Sequence, residues 1–159
     1  MLGTMRASAE STVYVFNDWG GGGGKPICTL YVDGAKVGNM LGSESSRINP
    51  NSWNGLVLPA IKYHKAVRPC ILNKEGKTLF SIKLQWTNIC DADEVYNYAD
   101  ECQIDIADGE TYYIQLKRKG LTKMQFIELK AKDGEKMLKK NKYEMLPESV
   151  VVLPESVVE

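Results

Sequence analysis

The chain contains one histidine, His64, and no Cys-x-x-Cys pair. Zinc-ribbon and thioredoxin-like sites therefore have no ligand pattern to start from. No stretch approaches the ~18 apolar residues that a membrane-spanning helix needs. Met1 to Glu10 lack the ~7–15-residue apolar core of a secretory leader. The chain is expected in the cytoplasm, or in the cell envelope or outside the cell if a leader is removed. A surplus of one charge is also missing, because 20 basic and 20 acidic side chains cancel. Nucleic acid and anionic membranes thus gain no long-range attraction.

What is present is ordinary globular composition, with 43% hydrophobic and 25% charged residues over a length of 159. That length fits one domain able to bury a core of its own. Period-two alternation is the dominant pattern. Phe80, Ile82, Leu84 and Trp86 share one face of a strand over 77–86, with Ser81, Lys83 and Gln85 opposite. Tyr112, Ile114 and Leu116 alternate in the same way over 111–118, and Val13 to Phe16 are apolar on both faces. Asp33-Gly34 between two apolar runs, 27–32 and 35–41, predicts a tight hairpin. Further strands are expected over 55–61, 67–72, 103–106 and 123–130. A single short helix is expected over 133–141, rich in Lys, Glu, Met and Leu. The expected fold is an all-β, antiparallel sandwich of about seven to nine strands with one short C-terminal helix. Its divisions are an N-terminal extension over 1–11, the sandwich over 12–145 and a Val-rich tail over 146–159.

Gly20 to Gly24 before Lys25 suggest a phosphate loop, but Trp19 replaces the first glycine and Pro26 the hydroxyl residue. The motif fails at both ends, and a surface loop is expected. The acidic stretch over 90–102 is sharper. Asp91, Asp93, Glu94, Asp100 and Glu101 could offer hard oxygen ligands to calcium, although an EF-hand's glycine and register are missing. A Cys90–Cys102 disulfide could close this loop; buried free thiols are the alternative for all four cysteines. Trp53, Tyr96 and Tyr98, read as loop residues, could contact a glycan or peptide. A His64–Cys70 nucleophile pair has no orienting partner or oxyanion donor in view, so no catalytic residues are assigned.

The tail repeats itself. Leu146-Pro147-Glu148-Ser149-Val150-Val151-Val152 is followed by Leu153-Pro154-Glu155-Ser156-Val157-Val158-Glu159. Such a segment can pack on its own domain or add to the sheet edge of a neighbour, with its prolines limiting where it pairs.

Thr12 to Phe16, Leu30 to Gly38 (LYVDGAKVG), Asp108 to Ile114 (DGETYYI) and Glu128 to Leu138 together resemble a bacterial family catalogued as domain of unknown function 2846. The resemblance covers both ends of the region from Thr12 to Lys140, and the middle departs from it. It implies a small β-sandwich in a lipoprotein or exported protein, with no catalytic residues to carry over. The function expected is a non-enzymatic envelope or surface module acting through protein interaction or self-assembly. The alternative is a divalent-cation- or glycan-binding domain using the segment over 90–102, with calcium as its only possible cofactor.

Overall fold

Alternating side chains become paired strands wherever the chain is described, and a computed structural model describes residues 10–18, 24–41, 65–88, 95–120, 123–140 and 142–151. These form two sheets and one helix. The first sheet contains β1 (Ser11–Asn17), β4 (Ala66–Leu72), β7 (Thr111–Lys119) and β8 (Lys123–Leu129). Two short strands, β9 (Glu144–Met145) and β10 (Ser149–Val151), lie along the outer edge of β4. The second sheet has the order β3 (Ala35–Leu41), β2 (Gly24–Val32), β5 (Gly76–Asn88), β6 (Val95–Ile106). The expected sandwich-like, all-β fold is therefore present. The expected strand over 55–61 lies outside the described residues.

The pairing is antiparallel with three exceptions. β1 runs parallel to β7, and β9 and β10 run parallel to β4. Consecutive strands give the antiparallel β2–β3, β5–β6 and β7–β8 pairs. The parallel neighbours, like the antiparallel β1–β4 and β2–β5 pairs, come from distant parts of the chain, which no local turn signal announces.

The β2–β3 hairpin forms as its turn residues require. Asp33 and Gly34 both take positive φ, 48° and 84°. The Asp33 carboxylate also accepts the Leu79 N–H at 2.9 Å and pairs with Lys74 Nζ at 2.6 Å, fastening this turn to the start of β5.

The main core lies between the sheets. Val13, Val15, Cys70, Leu72, Ile114 and Leu116 meet Cys28, Leu30, Val32, Phe80, Ile82 and Ile104 there, all buried. The opposite face of the first sheet carries a second, smaller cluster of Phe16, Val67 and Tyr113. Helix α1 (Ala131–Lys139) covers it with Met137 and Leu138, while Tyr143 meets Phe16 edge-on at 4.9 Å. The helix approaches so closely because residue 134 has no side chain. A Cβ there would lie 2.1 Å from Tyr113 Cγ.

Candidate functional site

Among the described residues the two sheets do not join by backbone ladders at either side. At one side β6 lies beside β8, and at the other β3 lies beside β4 and β10. Each seam is crossed by a charged side chain from an inward-facing strand position.

Along β6, the residues opposite Leu84, Ile82 and Phe80 are Tyr98, Asp100 and Cys102. All three sit on the side facing the other sheet. The Asp100 carboxylate accepts the Phe126 N–H of β8 at 3.0 Å, and Lys123 Nζ lies 5.8 Å from the Tyr98 ring centre. The stretch expected to be an acidic loop is thus strand from Val95 onward. Tyr96, 41% exposed, and Tyr98 are strand residues too. Strand alternation sends Asp100 and Glu101 to opposite faces, so the two cannot share one cation. Asp91, Asp93 and Glu94 lie outside the described residues. Among the described residues no group of three His, Cys, Asp or Glu could hold a metal.

Cys102 carries a free thiol, half-buried opposite Phe80, and Cys90 lies outside the described residues. Of the two alternatives, a Cys90–Cys102 bridge or free thiols, Cys102 shows the second. Burial, followed by Glu128 and Asp100, raises the Cys102 thiol above its ordinary value. Cys28 and Cys70 are also free, and burial pushes both up to about 12. A thiol that keeps its proton in an apolar core is a poor nucleophile, which weighs against Cys70 in the His64–Cys70 pair. His64 and Trp53 lie outside the described residues.

The second seam is the more constructed of the two. The tail begins its descent at Tyr143, whose hydroxyl donates to Asp18 Oδ1 at 2.7 Å. Gln115 Nε2 donates to the other oxygen of the same carboxylate. Burial and this bond to Asp18 raise the Tyr143 phenol well above its ordinary value. The backbone then pairs with β4, as Glu144 N–H donates to Lys65 O and Leu146 N–H to Val67 O, both at 2.8 Å. At this point two prolines interrupt the ladder, Pro69 in β4 and Pro147 in the tail, neither having an N–H to donate. The register also slips: Val67 stands opposite Met145, but Cys70 opposite Ser149.

Arg68 fills the break. Its guanidinium donates to Pro147 O and Ser149 Oγ, both at 3.0 Å, and to Asn39 O of β3 at 2.8 Å. One side chain thereby ties the tail to β4 and to the opposite sheet. Arg68 can lie against β3 because residue 38 is glycine; a Cβ there would come within 3.1 Å of Arg68 Cζ. No carboxylate balances the charge among the described residues, and the buried Nε has no hydrogen-bond partner. Burial lowers the Arg68 pKa from its ordinary value, and the nearby Cys70 opposes this. The result is a cation committed to backbone carbonyls and one serine, suited to holding an extended peptide.

Sequence reasoning missed Arg68. Its signal was present: positions 68, 70 and 72 share one strand face, and the latter two are Cys and Leu. A lone charge on an apolar face asks for partners across a seam.

A third feature is a concavity of about 580 Å³ on the second sheet. Ile27, Thr29, Lys83, Gln85, Asn97 and Ala99 are among its lining residues. Tyr98 borders it but also meets Lys123 across the other seam. Lys83 Nζ lies 5.1 Å from the Tyr31 ring centre.

No helix among the described residues is long and apolar enough to cross a membrane. Comparison with protein families, with curated proteins and with solved structures finds no match to this chain. The likeness to the bacterial family therefore rests on the quoted segments alone.

Proposed function

We propose that this chain is a non-enzymatic protein-interaction module of the bacterial envelope or cell surface, which works by adding an extended strand to a sheet edge. One observation carries this reading. The outer edge of β4 accepts a parallel strand through backbone bonds, and Arg68 reads the peptide's carbonyl and serine at the point where the ladder breaks. Strand addition obtains its affinity from main-chain hydrogen bonds and its selectivity from side-chain contacts. Val150 faces outward and is 61% exposed, so the docked strand presents an apolar residue to a neighbour. The envelope assignment comes from the family resemblance.

Light scattering of the full chain and of a chain lacking residues 146–159 tests this reading, with circular dichroism confirming strand content in both. A mass that rises with concentration only in the full chain supports it. Equal masses at every concentration overturn it.

The concavity favours a second reading as a small-ligand site. Gln85, Asn97 and Lys83 offer hydrogen-bonding groups to the hydroxyls of a glycan above an otherwise largely apolar lining. Chemical-shift changes at Gln85 and Asn97 on glycan titration would support this, and unchanged shifts at millimolar glycan would exclude it. No observation favours a cation.

A further inference from the structure

The tail carries the sequence Leu-Pro-Glu-Ser-Val-Val twice, at 146–151 and again at 153–158. The β4 edge provides one place for it. The first copy occupies that place, with Pro147 O and Ser149 Oγ on Arg68 and Ser149 to Val151 paired with Cys70 to Leu72. Each of these contacts uses a backbone group or a residue that the second copy repeats in the same order. Pro154 O stands in the sequence where Pro147 O does, and Ser156 where Ser149 does.

We infer that the β4 edge is a receptor groove for the Leu-Pro-Glu-Ser-Val-Val peptide, and that its second occupant is Leu153 to Val158 of another copy of this chain. This rests on the strand-addition reading above and names the segment that does the adding. Each chain has one groove and two matching segments, so one segment is in surplus. The first copy is delivered to its own groove by the Tyr143–Asp18 contact and the bonds from Glu144 and Leu146. That tether favours the first copy within its own chain at low concentration. As concentration rises, the surplus segment of one chain displaces the first copy of the next. The contact is heterologous, because groove and peptide are different surfaces, so assembly proceeds head to tail.

Ser149→Lys and Ser156→Lys each put a second cation against Arg68 in one copy only. In the S149K/S156K chain neither copy suits the groove, which is then open to a labelled peptide of sequence Leu153 to Glu159. Fluorescence anisotropy is expected to show binding, weakened by roughly tenfold or more when lysine replaces the peptide's serine, about 1.4 kcal/mol per tenfold. Equal affinity for the two peptides, or no binding of either at about 1 mM (the weak end of the measurable range), overturns the inference. The S156K chain provides a measurement that does not depend on the folding of the double variant, since its first copy is native. It is expected to remain monomeric where the native chain associates. If S156K associates as the native chain does, strand addition by the second copy is wrong while a protein-interaction role still stands. If neither chain associates, self-assembly falls with it.

Discussion

Gly134 shows how one missing side chain sets the distance between two layers. Within an isolated helix, alanine is preferred over glycine by about 1 kcal/mol. Here the added methyl would fall 2.1 Å from Tyr113 Cγ, and Tyr113 is held by its stacking on Tyr14 at 5.5 Å between ring centres. Overpacking wins over propensity, and Gly134→Ala is expected to lower stability by about 1–3 kcal/mol. Urea denaturation measures it; a stabilised variant would mean the helix is free to move away. Gly134 follows Asp133 in a segment whose composition announces a helix, but nothing local says which face must be bare. That information resides in Tyr113, on a distant strand. Arg68 presents the opposite case, because its own strand already marks it as a charge on an apolar face.

At the scale of elements, hairpins were legible and seams were not. The β2–β3 turn follows from Asp33-Gly34, and β5 and β7 follow from strict alternation. Only the end of β6 was legible, over 103–106. Its first part was hidden because the inward-facing positions there, Tyr98, Asp100 and Cys102, are turned partly toward a seam, where polar groups are tolerated. Their alternation is real but does not read as apolar and polar. The parallel partners were equally hidden, since pairing between distant segments leaves no trace in either one. Asp100 now has a structural task. Inward-pointing charges are one way that edge strands are kept from pairing with other molecules. Asp100→Ala removes a charge-assisted bond to the Phe126 N–H and is expected to cost about 1.5 kcal/mol. Hydrogen exchange should quicken at Phe126 well before it quickens at the buried Ile114. Equal acceleration at both sites would show that Asp100 supports the whole fold rather than its seam.

For the whole molecule, the buried thiols predict an alkaline limit. Cys28 and Cys70 hold their protons up to about 12 when folded, against an ordinary 9.0 once exposed. Between those values the unfolded chain binds fewer protons than the folded one, so stability is full below about 9 and declines as pH rises toward 12. The slope approaches about 1.4 kcal/mol per pH unit for each thiol. Melting curves of the native chain and of Cys28→Ala with Cys70→Ala, followed from pH 8 upward, check it. The double variant begins less stable but should lose less over the alkaline range, and parallel declines would refute the assignment.

The parallel union of β1 with β7 also has a consequence in time. During synthesis β1 emerges first, yet Thr12 cannot meet Thr111 until most of the chain has been made. The second sheet, by contrast, can assemble from its β2–β3 and β5–β6 hairpins as each leaves the ribosome. Non-local pairing of this kind is slow, and a waiting strand is open to wrong partners. The apolar segment Val13 to Phe16 therefore keeps one edge open after it has met β4 and until β7 is made, and a chaperone has reason to hold it.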